Sequence, residues 1–452
     1  MPAYYLLFKV TCKLFTKKQS KQIVIKRPKK TISDLPVECM QQIFDCIRDQ
    51  GEGIYSALLV NRYWCRNIIP ILWEQPFQRF SKVYHSQPTK YLKDRSLRLH
   101  QPSNNKLLYT LFSCLPEQDN QTLAFKLSQY RVKIPKSQQT LFNYAYFLQE
   151  FSYKDLELII ISSLQRWYTN SLLHDSFYPQ IHLISTALCK LFLQRSNLQS
   201  LYFEKNFAKL DIPNFTEIDN KRPALSQLSH FSFTYSEPIT TNILNLLKII
   251  SNFCNHITSL EFNLKSADYN IDIRVAIVNI IKSQYKITHF SIENISSDVA
   301  EPIIFSLKSN SFNLLSLRLS HVQLTESCVD LISQFNNLNS LTIDNCDGLS
   351  NEILYSHFLP QKLIINTLQQ DITLPLLRKF GKNLKFLGLS IYYDIYIAER
   401  LLDFCPRVDK IHLNIYTDVA LDYEELKRKE ASWKNIIKSA YPHKNIHLSV
   451  DY

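Results

Sequence analysis

Eight times between residues 198 and 413 the chain sets apolar residues at positions i, i+3 and i+5. The triplets are Leu198/Leu201/Phe203, Leu228/Phe231/Phe233, Ile257/Leu260/Phe262, Ile287/Phe290/Ile292, Leu314/Leu317/Leu319, Leu338/Leu341/Ile343, Leu384/Leu387/Leu389 and Val408/Ile411/Leu413. Their starts lie 30, 29, 30, 27, 24, 46 and 24 residues apart, and the 46 reads as two short periods with a degraded unit near Leu363/Ile365. Positions i+3 and i+5 are two residues apart, the spacing that puts both side chains on one face of a β-strand. Helix-like apolar segments fall between the triplets, at residues 243–250, 275–281 and 329–332. With 45% apolar residues a lone triplet carries little information, so the regular spacing is the signal. A repeat of this size stacks one supersecondary unit on the next, because no single unit buries its apolar face alone.

Further residues sharpen this pattern. Asn precedes the triplet at Asn197, Asn313, Asn337 and Asn383, and Cys346 sits three residues after Ile343. Leu324-Thr325-Glu326 and Leu349-Ser350-Asn351 have the form of a turn entering a helix. In these features residues 197–452 resemble leucine-rich repeats, in the cysteine-containing subtype. The resemblance implies a curved solenoid with its strands along one concave face. Side chains between the buried positions would form that face: Tyr202, Glu204, Glu261, Asn263, Glu293, Arg318, Thr342, Asp344, Ser390 and Asn414. Acidic, basic and amide groups are mixed there, which suits a specific protein partner better than a polyanion.

Residues 31–77 have a different character. Ser33 or Asp34 can cap a helix that Leu35-Pro36 opens, with proline near the first turn where its missing N–H costs little. Val37, Met40, Ile43, Phe44 and Ile47 follow at helical spacing, and Gln50-Gly51-Glu52-Gly53 breaks the chain. A second periodic segment runs through Ile54, Leu58, Leu59, Tyr63 and Trp64; Pro70 interrupts it before Ile71-Leu72-Trp73. Three helices in so short a stretch bury little surface and need a neighbour to cover their apolar faces. The order Leu35-Pro36-x-Glu38, Ile43-Phe44, Leu58 to Arg66 and Pro70 to Trp73 resembles an F-box, with a tail similar to fungal F-box families. The resemblance implies docking onto a SKP-type adaptor of cullin-RING ubiquitin ligases. The residues it places at the adaptor are Leu35, Pro36, Met40, Ile43, Phe44, Ile47, Leu59, Val60 and Trp64, with Trp64 and Trp73 also suited to the unit's own core.

The remaining segments are simpler. Residues 1–30 hold nine Lys or Arg and no acid, so they carry most of the net charge of +12 and the rest of the chain is nearly neutral. They read as a weakly ordered basic arm. The cluster Lys26-Arg27-Pro28-Lys29-Lys30 fits either a nuclear import signal or a solvated charge run. Residues 78–196 read as a helical linker, with helices over 106–115, 140–150, 153–167 and 180–195 punctuated by prolines. No apolar run approaches the ~18 residues that span a bilayer, so no membrane partner is expected.

Chemistry is conspicuously thin. Five glycines, at 51, 53, 348, 381 and 388, cannot build a phosphate-cradling loop. Ten cysteines contain no C-x-x-C pair, which argues against zinc ribbons and redox dithiols and for reduced core thiols in cytoplasm or nucleus. His174 and His182 are too far apart for one helical metal face, and no protease, hydrolase, kinase or EF-hand motif occurs. Phe203, Phe231, Phe262 and Phe290 occupy triplet positions, so the aromatics read as core rather than as base-stacking platforms.

The sequence therefore predicts an α/β chain: a three-helix F-box, a helical linker and a leucine-rich-repeat-type solenoid. Neither catalysis nor a cofactor is expected. Its expected role is substrate recognition for a cullin-RING ligase, binding a target protein and no nucleic acid. A repeat scaffold unlinked to ubiquitin, with residues 31–77 as its cap, is the alternative. A nucleic-acid binder using the basic arm ranks third.

Overall fold

The computed structural model describes residues 37–49, 54–77, 103–136, 140–167, 177–204, 211–217, 223–235, 240–264, 271–366, 370–392, 401, 403–416 and 445–451, with 428, 431 and 435. The basic arm, Leu35 and Pro36 lie outside them. The chain forms two compact units, Met1–Ile69 and Pro70–Tyr452.

The first unit contains helices α1 (Val37–Asp49) and α2 (Ile54–Leu58) and the start of α3 (Arg62–Glu74). Two boundaries differ from expectation. The second periodic segment is divided at residues 59–61, and α3 continues through Pro70. Proline removes one helical hydrogen bond but does not end a helix whose flanking turns are otherwise bonded.

The second unit is built on an eleven-stranded sheet whose spatial order is its chain order. The strands are β1 (Glu150–Ser152), β2 (Ser200–Glu204), β3 (His230–Tyr235), β4 (Ser259–Leu264), β5 (His289–Ile295) and β6 (Ser316–Val322). They continue as β7 (Ser340–Asp344), β8 (Lys362–Asn366), β9 (Phe386–Tyr392), β10 (Lys410–Tyr416) and β11 (Asn445–Asp451). Every neighbouring pair is parallel. Parallel neighbours require a return segment between them. Helices α4 (Ser103–Cys114), α5 (Glu117–Ser128), α6 (Tyr153–Trp167) and α7 (Tyr178–Arg195) precede β2. Helices α8 (Thr241–Phe253), α9 (Ile271–Ser283), α10 (Ser297–Ser306), α11 (Glu326–Ser333) and α12 (Gln370–Phe380) return between later strands. Between β7 and β8 the return is a 3₁₀ turn, Asn351–Tyr355.

Register explains the triplet. Position i+3 of each repeat pairs with i+3 of the next, as in Leu201–Phe231–Leu260–Phe290, and i+5 likewise, as in Phe203–Phe233–Phe262–Ile292. These residues are buried. Position i lies just before the strand and is also buried, at Leu198, Leu228, Ile257, Ile287, Leu314, Leu338, Leu384 and Val408. The unit near Leu363/Ile365 is a regular strand, β8. Aromatic rings run through the early core: Tyr153 stacks on Phe203 at 4.7 Å, and Phe203 on Phe233 at 6.2 Å.

The sheet begins before the first triplet and ends after the last. Residues 140–150 form a 3₁₀ turn (Tyr144–Phe147) and the start of β1, not a helix. Leu148, Phe151 and Tyr153 in fact follow the i, i+3, i+5 template and are buried. Their apolar, aromatic neighbours also fit a helix, and periodicity cannot separate the two in so short a run. β11 carries Ile446 and Leu448 but has His443 at position i, so it escapes the template.

Polar side chains hold the repeats together. Thr240 and Thr325 cap α8 and α11 by accepting from the backbone N–H of Ile243 and Cys328. Two buried amides brace the repeats. Gln284 Oε1 accepts from the Ile257 N–H at 2.9 Å while its Nε2 donates to Cys254 O at 2.7 Å. Asn310 Oδ1 accepts from the Ile287 N–H at 2.9 Å. Both N–H groups belong to residues at template position i, so a side chain from the end of the same repeat satisfies a donor that the sheet leaves over. Near the ends of β5, β6 and β7 the backbone turns through left-handed residues, Asn294, His321 and Asn345, a conformation that asparagine tolerates well.

Replacing Gln284 by methionine keeps the volume but strands the Ile257 N–H and the Cys254 carbonyl. The expected loss is about 1–3 kcal/mol, read as a lowered denaturation midpoint in chemical unfolding.

Candidate functional site

Two surfaces are candidates. The first lies in the N-terminal unit. Along α1, Met40 and Phe44 point inward and are fully buried, whereas Ile43 and Ile47 are half-buried. Ile54 and Ala57 of α2 are buried as well. The Trp64 ring meets Phe44 edge-on, with centroids 5.2 Å apart. Met40, Phe44 and Trp64 thus build the unit's interior, and the first two offer no surface to a partner.

The turn after α2 does the opposite. Leu59 and Val60 donate their N–H groups to Ser56 O and Ala57 O, closing a tight turn. Asn61 then caps α3, its Oδ1 accepting from the Trp64 N–H at 2.8 Å. With backbone needs met at both ends, the two side chains project outward: Leu59 is 87% exposed and Val60 57%. Tyr55, one turn earlier, is 62% exposed. Burying a Leu or Val side chain is worth about 1.5–3 kcal/mol, so an adjacent exposed pair is an unused source of binding energy.

Residues 32–79 match the F-box-like family. The match covers the N-terminal segment alone, and no curated protein matches the chain. The F-box-like segment contains α1, α2 and α3 together with the Leu59-Val60 turn. Of the residues expected at an adaptor, the turn pair is the most exposed, Ile43 and Ile47 are partly available, and Leu35 and Pro36 fall outside the described residues.

The second surface is the open face of the sheet. Tyr202, Glu204, Glu261, Asn263, Glu293, Arg318, Thr342, Asp344, Ser390 and Asn414 all occupy strand positions that alternate with the core. They are not equally available. Thr342 and Ser390 are buried among their neighbours. Ser390 Oγ donates to Asn366 Oδ1 (2.9 Å), and Asn366 Nδ2 donates to Asp344 Oδ1 (3.0 Å). Ser320 Oγ donates to the other Asp344 oxygen at 3.3 Å. Asn263 donates to Glu293 Oε2 and accepts from Asn294, both at 2.9 Å. Glu204 pairs with Lys154 at 2.8 Å. Apart from the Glu204–Lys154 pair, whose lysine stands on α6, these residues form cross-strand ladders, which stabilise the sheet. Glu261 and Arg318 are exposed, and Tyr202 and Asn414 half-buried.

A further row was missed. Template position i+2 opens each strand on the same face, and the register aligns Glu150, Ser200, His230, Ser259 and His289, then Ser316, Ser340, Lys362, Phe386 and Lys410. The triplet itself contains the signal, since i+2 has the same parity as i+4. Charge is unevenly placed here. Burial raises the Glu150 carboxyl, and the carboxylates of Asp155 and Glu74 add to the shift. Tyr202 is raised by burial and by Glu150 and Glu261. Its ring lies 4.9 Å from that of His230. Burial lowers the His230 pKa, His289 lowers it further, and Glu261 opposes both.

Among the described residues no three His, Cys, Asp or Glu side chains assemble into a metal site. Burial pushes the thiols of Cys254 and Cys405 up to about 12 and that of Cys346 to about 11. Cys346 donates its thiol to Asp344 O, within its own repeat, at 3.4 Å. No helix among the described residues is long and apolar enough to cross a membrane.

Two outcomes are expected. Phe44→Ala should cost about 3–5 kcal/mol, while Leu59→Ser with Val60→Ser should stay within about 0.5 kcal/mol per site, both measured by chemical denaturation. His230 has a folded-state pKa below the usual 6.5, so the unfolded chain binds the extra proton first. Its contribution to stability is therefore present above pH 6.5 and lost as pH falls. His230→Phe should flatten the decline in thermal midpoint between about pH 7 and 5.5.

Proposed function

We propose that the chain is the substrate-recognition subunit of an SCF-type cullin-RING E3 ubiquitin ligase. The F-box-like segment binds the SKP-type adaptor, and a leucine-rich-repeat-type solenoid holds a target protein. The observation that carries this reading is the Leu59-Val60 turn, which presents apolar surface within a segment of F-box-like sequence. An adaptor groove that buries these two side chains, and the partly exposed Ile43 and Ile47 as well, recovers binding energy that water otherwise withholds. The open face supplies the target surface. Bound target and ubiquitin-loaded enzyme are then held in one complex, so the chain acts through effective concentration and performs no chemistry and needs no cofactor. Cytoplasm or nucleus is the fitting compartment.

A second reading has a specific observation in its favour. Within the second unit Trp73 packs on Tyr144 at 4.5 Å, and buried Phe77 meets Phe151 and Phe192. The Gln149 N–H donates to Glu74 O at 3.0 Å. The end of the F-box-like segment thus serves the sheet as a cap, and a pure scaffold would need it for that alone.

Co-expression of the full chain with a SKP-type adaptor separates the readings. A 1:1 complex on size exclusion is expected, lost in a Leu59→Asp, Val60→Asp variant whose thermal unfolding matches wild type. No complex with the wild-type chain leaves the scaffold reading standing.

A further inference from the structure

The open face is divided by charge. Strands β1 to β5 carry four glutamates (Glu150, Glu204, Glu261 and Glu293) and no Lys or Arg. Strands β8 to β10 carry Lys362 and Lys410 and no acid. β6 and β7 hold one charge of each sign, Arg318 and Asp344, and the latter already receives two hydrogen bonds. All of these side chains occupy open-face positions, in rows fixed by the register.

Each end has its own chemistry. At the acidic end Lys154 pairs with Glu204 and Asn263 donates to Glu293, but burial and the carboxylates of Asp155 and Glu74 all raise the Glu150 pKa. Tyr202 lies within the influence of both Glu150 and Glu261. An aromatic ring with carboxylates one strand away on one side and two strands away on the other suits an incoming Lys or Arg through cation–π contact and charge. At the basic end the Lys362 ammonium lies 5.2 Å from the centre of the Phe386 ring, which meets His412 at 4.9 Å. In the next row Gly388 leaves a shallow floor between Ile364 and His412; a β-carbon there would stand 3.1 Å from Ile364 Cγ1. That end suits an acidic side chain with an apolar neighbour.

The ends are electrically separate. From β3 to β9 the strand spacing of about 4.8 Å accumulates to about 29 Å, against a screening length of about 8 Å in physiological salt. A ligand of one sign gains at one end and is repelled at the other. A partner gains at both only if its own charges are divided in the same way.

We infer that the target bound on this face is a protein bearing a Lys/Arg-rich patch for β1–β4 and, about 25–30 Å away, an Asp/Glu-rich patch for β8–β10. This rests on the target-binding role proposed above for the sheet. Nucleic acid is disfavoured, because its uniform negative charge opposes the glutamates.

The test uses the full chain and labelled peptides. One carries a lysine block and a glutamate block joined by about ten Gly-Ser residues, whose extended length of about 33 Å reaches both ends. Controls are the same blocks on a spacer of about three residues, all-lysine and all-glutamate peptides, and a single-stranded oligonucleotide. Fluorescence anisotropy should give at least about tenfold tighter binding for the long divided peptide than for any control. Carbodiimide cross-linking should join its lysines to Glu150 or Glu261 and its glutamates to Lys362 or Lys410. Reversing one end (Glu150→Lys with Glu261→Lys, or Lys362→Glu with Lys410→Glu) should erase the advantage. Reversing both should restore it with the cross-links exchanged, which a misfolded variant cannot do. Equal binding by a one-sign peptide or the oligonucleotide overturns the inference, as does failure of the double reversal in a protein with wild-type thermal unfolding. Adaptor binding measured on the same variants depends on the Leu59-Val60 turn, so its loss in the wild-type chain would count against the ligase role and not against the charge division.

Discussion

The second unit depends on the pairing of identical positions in neighbouring parallel strands. A strand buries one face only, and its backbone donors and acceptors need partners on both edges. Stacking strands in chain order meets both needs at once, provided that each repeat presents its apolar pair in the same register. A one-residue slip in any repeat would turn Phe231 or Leu319 to solvent and their polar neighbours into the core. The buried amides Gln284 and Asn310 work against such slippage, since each must meet a particular backbone N–H at the start of its own repeat, and Gln284 also reaches the Cys254 carbonyl of the repeat before.

The same alternation creates the open face. Side chains not used in the core are lined up strand by strand, and most of them are spent on one another. Ser390, Asn366, Asp344 and Ser320 form a continuous hydrogen-bonded ladder across four strands. Much of the mixed polar surface is therefore structural. With Glu204 and Glu293 held by Lys154 and Asn263, the end groups that remain to meet a partner are Glu150, Tyr202 and Glu261 on one side and Lys362, Phe386 and Lys410 on the other, and their separation gives the face a direction.

In the N-terminal unit the division between structure and surface is equally plain. Met40 and Phe44 are buried at successive turns of α1, and Trp64 closes on Phe44. The Leu59-Val60 turn is held outward by backbone bonds on one side and by the Asn61 cap on the other. An apolar pair fixed in this way cannot retreat into the unit's interior, which makes it a surface for association.

Much of this was legible in the chain. The eight triplets, their spacing and the degraded unit at Leu363/Ile365 correspond to strands β2 through β10, because period-two burial is a local property that survives into the fold. The F-box-like segment was legible for the same reason: short helices with fixed spacing leave a local pattern. Other features depended on residues distant in sequence. β1 hides in a run that reads equally well as helix and becomes a strand because β2 offers an edge to pair with. β11 lacks the leading apolar residue and is held by its register with β10. Whether Asp344 or Ser390 faces a partner or a neighbour was undecidable from composition, since hydrogen-bonding across strands joins residues 22 to 24 positions apart. The sequence alone determined which residues would be inside, through the spacing of apolar side chains. Only the tertiary structure decided which polar residues remain free to bind, because that depends on what the next repeat places beside them.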